Sequence, residues 1–207
     1  MKKALIVQGG WDGHKPKEIA DILAVQLRQN NFEVTISDTL DAFRDLPLTD
    51  FNLIVPNWTM GTIKPEQLKP VLAAVESGVG LAGLHGGMCD SFRNECDWQY
   101  MTGGQWVAHP GNDGAHYKVL IDGEKSPITE GISAFEVTTE QYYMHVDPAN
   151  TVLATTRFGS VVMPVVWTKS WGKGRVFYSS LGHRPDVVAM EPVITLMTRG
   201  MLWAARD

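Results

Sequence analysis

Four histidines of this chain stand at the ends of apolar runs, each beside glycine or proline: His14 in "GGWDGH", His85 in "GLHGG", His109 in "AHPG" and His183 in "LGHRPD". Imidazole is a common ligand for zinc and similar divalent metals, and it is also the side chain that exchanges a proton near neutral pH. His85, His109 and His183 are the predicted metal set. Glu140, in "TTEQYY", is the carboxylate that could complete a three- or four-ligand site or act as a base. His85, Glu140 and His183 are the predicted catalytic residues, and a sharp turn at "GLHGG" would expose His85 as a general base. The opposing reading of His85 is a capping histidine held by backbone hydrogen bonds. The spacing carries no HExxH signature, so the metal expectation rests on residue types and on where they fall. His116 and His145 are read as surface residues.

Tryptophans accompany these turns. Trp11 and Trp58 lie in the loops after the first and third apolar runs, and with His14 and Asn57 they are predicted to face a ligand, while Trp106 and Trp171 are further stacking candidates. Gly86 and Gly87 would let backbone approach that ligand closely. Other chemistries are disfavoured. "GGWDGH" has neither the Walker spacing nor a GxGxxG pattern, so no nucleotide cofactor is expected. Cys89 and Cys96, the two cysteines, match neither a zinc knuckle nor a redox pair, and they could sit on neighbouring turns of one helix.

These residues need a scaffold that gathers strand ends. "KALIVQGG" is an apolar run ending in paired glycines, and "PKEIADILAVQLRQNN" places Ile19, Leu23 and Leu27 at helical spacing. "FEVTIS" and "FNLIVPN" follow as strands, "KPEQLKPVLAAVESG" reads as a helix stopped by Gly78, and "VGLAGLH" is apolar throughout, as in a strand buried on both faces of a parallel sheet. A further helix is expected within 90–101. Beyond Gly103 the texture becomes "HYKVLID", "AFEVTTE", "TVLATTR", "PVVWTK" and "GRVFYSS", short strands separated by turn residues and richer in antiparallel pairing. "WTKSWGKGRVFY" is a hairpin that delivers "LGH", and a last helix begins near Pro192 with Ile194, Met197 and Met201 on its buried stripe. The expectation is a doubly wound α/β sandwich of three layers, with a mainly parallel sheet and added antiparallel strands in the C-terminal half, forming one domain over 1–207. Ligands bind such sheets beyond the carboxyl ends of the strands, where the histidines fall.

The 207 residues are 44% hydrophobic and 20% charged with a net charge of -5, and no run of like charge occurs. That balance argues against a nucleic-acid partner and for a small molecule. No segment has the length to span a bilayer and no leader is apparent, so a cytoplasmic protein without membrane partners is expected. A homodimer is the expected assembly.

The blocks "GLAGLHGG", "GGQWVAHP", "SPITEGISAFEVTTEQYY" and "PVVWTKSWGKGRVFYSSLGH", in this order and separation, resemble the ThuA-like, or trehalose-utilization, family. The resemblance implies a flavodoxin-like fold related to class I glutamine amidotransferase domains. Those domains carry a nucleophilic cysteine in a Gly-x-Cys-x-Gly elbow, where this chain has His85, so glutamine hydrolysis is not expected. Cys89 lies four residues past the elbow. The family's "E-Y" element falls on Glu140 and Tyr142, which adds Tyr142 to the substrate-binding candidates. The family is associated with disaccharide catabolism alongside oxidoreductases that make 3-keto sugars. What it implies here is a metal-assisted enzyme, a hydrolase, lyase or isomerase, acting on a keto sugar or related disaccharide derivative; the alternative is a non-catalytic sugar-binding or regulatory module.

Overall fold

The computed structural model describes residues 1–207. The first half alternates strands and helices: β1 (Lys2–Gly10), α1 (Pro16–Gln29), β2 (Phe32–Ser37), α2 (Ala42–Asp45), β3 (Leu53–Thr59), α3 (Pro65–Ser77), β4 (Gly80–Leu84), α4 (Gly86–Cys89) and α5 (Cys96–Thr102). Strands then dominate, as β5 (Gly104–Ala108), β6 (His116–Leu120), β7 (Phe135–Thr138), β8 (Tyr143–Val146), β9 (Thr151–Phe158), β10 (Val161–Trp171) and β11 (Gly174–Ser179), before α6 (Pro185–Val188) and α7 (Glu191–Ala204). No helix is long and apolar enough to cross a membrane.

A nine-stranded sheet runs in the order β2-β1-β3-β4-β11-β10-β9-β6-β7, and β5 pairs with β8 in a separate ribbon. The strands from β2 to β11 are mutually parallel. From β10 outward every pairing is antiparallel. The fold is thus the expected α/β sandwich with antiparallel strands added at one side. The change of direction occurs at the β10–β11 hairpin, where Trp171 pairs with Gly174 and Gly172 takes φ 57°, a left-handed value suited to glycine.

The unbroken apolar runs of the first half are explained by burial on both faces. Successive side chains point to opposite sides of a strand, so Ile6, Val55 and Ala82 pack with Leu23 and Leu27 of α1 and Met197 and Met201 of α7. Their neighbours Leu5, Ile54 and Leu81 pack with Val71 and Val75 of α3 and Trp98 of α5 on the other side. Ile194 is only partly buried, so the expected stripe on α7 holds at Met197 and Met201 and weakens at that end.

Three local features differ from the sequence expectation. The helix expected within 90–101 is α5, which starts at Cys96 and runs one residue further, while Cys89 ends the separate short α4, so the two cysteines sit on different helices and not on neighbouring turns of one. Strands β5 and β8 had no clear period-two signal because they form a two-stranded ribbon of their own. The short α2 lies in a stretch whose four helical residues are too few to show a helical period.

A candidate metal and sugar site at the strand ends

The register of the parallel strands brings their carboxyl ends to one edge. Gly10 pairs with Thr59, and Ser179 pairs with Leu84, so the loops that follow β1, β4 and β11 emerge side by side. They carry His14, His85 and His183. Glu140 comes from the opposite direction, on the loop between β7 and β8 in the antiparallel part. All four are buried, and one ligand atom from each lies within 4.8 Å of the others.

Oε2 of Glu140 is the centre of this group. His85 Nε2 lies 3.1 Å from it, His183 Nδ1 3.3 Å and His14 Nε2 3.8 Å. The opposite nitrogens of two rings are anchored: His85 Nδ1–H donates to the Ser180 carbonyl at 2.8 Å, and His14 Nδ1 hydrogen-bonds with Thr59 Oγ1 at 2.8 Å. Both anchors turn an inner ring nitrogen toward the carboxylate. The phenol of Tyr142 stacks on His85 at 4.1 Å between ring centroids and donates its O–H to His85 Nε2 at 2.9 Å.

The electrostatics follow from burial. Desolvation pulls the His85 pKa down to about 4, against the opposing pull of Glu140, so this imidazole is neutral at neutral pH. Burial alone would raise the Glu140 carboxyl, but the imidazoles of His14, His183 and His85 gathered around it together hold it well below the usual carboxylate range. Burial, reinforced by the Glu140 charge, keeps Tyr142 protonated far above its ordinary value. An ionised carboxylate therefore faces the lone pair of a neutral imidazole. Such an approach is repulsive unless a cation or proton lies between them.

His85 has φ 47° and ψ -141°, a backbone conformation that side chains rarely adopt. Its strain is tied to packing on both sides. A Cβ on Gly86 would lie 2.7 Å from the His14 ring, and one on Gly87 would lie 2.5 Å from Asn57 Oδ1. The two glycines admit neighbouring protein side chains, which is a different use from the ligand approach expected of them. Asn57 is buried with its amide donating to the Pro16 carbonyl at 2.8 Å, so that donor is already committed to the fold. Trp58 lies against Gly9 and Gly61 and lines a separate hollow with Asp12, Lys15 and Asp38. Both residues sit outside the cavity at the histidines.

That cavity, of about 390 Å³, is bounded by Trp11, His14, Tyr142, His109, Arg93 and His183, with Glu140 at its base. Trp11 is half-exposed and meets the His14 ring edge-on at 4.8 Å. His109 approaches the other oxygen of Glu140, with Nε2 3.6 Å from Oε1, and so stands outside the four-residue cluster in which it was expected. His14, expected to face substrate, is inside. His116 and His145 are exposed, as read from the sequence. Cys89 is buried and burial pushes its thiol far up, which leaves it a poor nucleophile.

Two residues of the cavity wall had only a faint signal. Arg93 makes a two-pronged pair with Asp90 at 2.6 and 2.9 Å, and its guanidinium lies 4.5 Å over the Trp106 ring. Their opposite charges three residues apart are visible in the sequence, but a surface pair would look the same. Thr59 and Ser180 had none, because one anchors with a hydroxyl and the other with backbone.

The family model for ThuA, described as trehalose utilisation, matches residues 3–204. The chain belongs to the ThuA family. Membership implies a role in carbohydrate metabolism, the trehalose utilisation for which the family is described. Among curated proteins none matches by sequence. A ThuA-like protein from Parabacteroides merdae has a similar structure, with a TM-score of 0.82 at 18% identity over 98% of this chain and 89% of that one. A protein from Salmonella typhimurium, called cytoplasmic, gives 0.74 at 16% identity over 99% and 100% of the two chains. A cold-adapted β-galactosidase from Rahnella gives 0.68 at 15% identity, covering 100% of this chain but 32% of that enzyme. At these identities the likeness is one of fold.

Proposed function

We propose that this ThuA-family chain is a metal-assisted enzyme that cleaves or isomerises a keto sugar or related disaccharide derivative. The observation that carries the reading is the convergence of three ring nitrogens on Oε2 of Glu140 at 3.1, 3.3 and 3.8 Å, in a buried site with two of the rings anchored behind. Ligands of a tetrahedral zinc with bonds of about 2.0–2.1 Å are separated by about 3.3 Å, close to the distances from Oε2 to His85 and His183, and the wider separations in the group, up to 4.8 Å, would close on binding such a cation. Outer hydrogen bonds that fix imidazole tautomers are the usual companions of a metal site. His14, His85, His183 and Glu140 would hold the ion.

A bound cation supplies a Lewis acid for the negative charge that builds on a carbonyl oxygen. The chain's own residues do the rest. A ketone at C3 acidifies the C2 proton; a base takes that proton, and the freed electron pair expels the C1 glycosidic oxygen, which then picks up a proton. Glu140 Oε1 and His109 Nε2, 3.6 Å apart at the cavity wall, are the proton-carrying pair in this reading. Without a leaving group, returning the proton to a different carbon isomerises the sugar. Trp11 offers an aromatic face to the ring, and 390 Å³ is within the range of small-ligand sites.

A second reading has a specific observation in its favour. The Tyr142 hydroxyl occupies the His85 lone pair at 2.9 Å, as it would in a sugar-binding module that needs no ion. Elemental analysis and turnover separate the two. The enzyme reading expects about one divalent ion per chain, lost in His85→Ala or His183→Ala, and free sugar or an isomer from a 3-keto-disaccharide. Tight binding of that sugar with neither ion nor product would select the module.

A further inference from the structure

The three imidazoles around Glu140 are not equally supported. His14 and His85 each have the outer nitrogen held at 2.8 Å. His183 presents Nδ1 to Glu140, while its outer Nε2 points at Oδ1 of Asp113 across 3.9 Å. That oxygen is itself buried without a hydrogen-bond partner. The other oxygen of Asp113 is paired with Arg184, which Asp186 holds at 2.9 and 3.2 Å. A carboxylate is thus aimed at the third histidine and stops about 1 Å short of a hydrogen bond.

We propose that Asp113 is the positioning residue of His183, closing onto Nε2–H to fix the tautomer that leaves Nδ1 free for the cation. The proposal rests on the metal reading of the site and names what completes it. Asp113 sits in a single 3-10 turn, Asn112–Gly114, within the segment joining β5 and β6. Gly111 and Asn112 have positive φ values of 90° and 48°, and a Cβ on Gly114 would meet open space, so the turn is not wedged in place. The same segment carries His109 and borders the sugar cavity. Movement of one short turn therefore links the ligand-facing wall to the strength of His183 as a ligand.

Chemistry supports the assignment. A neutral imidazole offers a lone pair on one nitrogen only, and a carboxylate on the other selects which and makes it more basic. Arg184 orients Asp113 through the oxygen that His183 does not need.

The test is zinc affinity of the full chain, by competition with a chromophoric chelator, for wild type, Asp113→Ala and Asp113→Asn. Loss of such an outer partner weakens metal binding about 10–100-fold. Asp113→Ala is expected to lose that much, and Asp113→Asn, which keeps an oxygen acceptor at the same place, to recover part of it. Equal affinity in all three overturns the proposal. A readout without metal stands beside it: nitrogen chemical shifts of His183 in the metal-free protein are expected to report the Nε2–H form in wild type and a mixture in Asp113→Ala. If wild type binds no zinc, the metal reading fails, and the shifts still decide Asp113: an unchanged tautomer in Asp113→Ala rejects its role. Matching urea-unfolding curves exclude misfolding as the cause; if Asp113→Ala does not fold, Asp113→Asn carries both measurements.

Discussion

The parallel and antiparallel halves of the sheet divide the site between them. The parallel half supplies His14, His85 and His183 directly after strands whose side chains are buried on both faces. The antiparallel half and the β5–β8 ribbon supply Glu140, Tyr142, His109 and Asp113 from connecting loops. In the first set His14 and His85 are anchored by hydroxyl and backbone partners, while His183 Nδ1 is buried without a hydrogen-bond partner, as are Asp113 Oδ1 and His109 Nδ1 of the second. The difference teaches how a rigid ligand set can coexist with an adjustable wall, since strand ends hold position while loops can shift by an ångström.

The largest effect expected is at the boundary between the halves. Trp167 of β10 is fully buried against Tyr178 of β11, with ring centroids 4.3 Å apart, and donates its Nε1–H to the Thr102 carbonyl at 3.0 Å. Trp167→Ala should cost about 3–5 kcal/mol in urea unfolding. A loss below 1 kcal/mol would mean that the two halves are held together elsewhere.

A smaller effect sharpens the case for strain in the parallel half. At ordinary positions glycine is less stable than alanine by about 0.5–1 kcal/mol. At His85 the order should invert, with His85→Gly more stable than His85→Ala by about 1–3 kcal/mol, because only glycine accepts φ 47° with ψ -141° at ease. Finding the ordinary order would remove the argument that the elbow stores strain.

In the antiparallel half, a hydrogen bond with Lys169, helped by the Ala149 amide, holds the Asp147 carboxyl below its usual range. A depressed folded pKa gives stability that is present above the unfolded value of about 3.9 and is lost as pH falls through the folded one. Asp147→Asn should therefore unfold with a shallower dependence on pH in that acid window than wild type. Parallel curves would show that the ion pair adds nothing.

The smallest effect is an expected silence. Cys89 is buried and Cys96 exposed, so a thiol reagent should label Cys96 alone in the native protein. Rapid labelling of Cys89 would reveal an elbow that opens.

Much of this was legible in the chain itself. Continuous apolar runs of 4–8 residues bounded by glycine announce strands buried on both faces, and the helical spacing of Ile19, Leu23 and Leu27 announces α1. His14 and His85 follow such runs and were expected at one edge, because parallel strands share a direction and a short loop cannot leave the end it follows. His85 was recognisable on that basis; His183 and Glu140, from the half read as antiparallel, were singled out by residue type and neighbouring turns. Asn57 and Trp58 satisfied the same rule and face elsewhere, since the rule fixes the edge but not the side of the strand or the committed hydrogen bonds.

The sequence by itself determined that the first half alternates strands and helices into a mainly parallel sheet and that histidines follow its apolar runs, and the family resemblance added that the elbow carries histidine where cysteine stands in the amidotransferase domains. These depend on local pattern, on periods of two and 3.6 residues and on the residue at a turn. Only the tertiary structure decided that His14 and not His109 completes the cluster, that Thr59 and Ser180 stand behind two of its rings, and that Asp113 is aimed at the third. Those choices are set by distances of a few ångströms between residues 45 to 95 positions apart, and by the packing of Gly86 under the His14 ring. Spacing along a chain does not encode such distances; they exist only once both halves of the sheet have closed on Glu140.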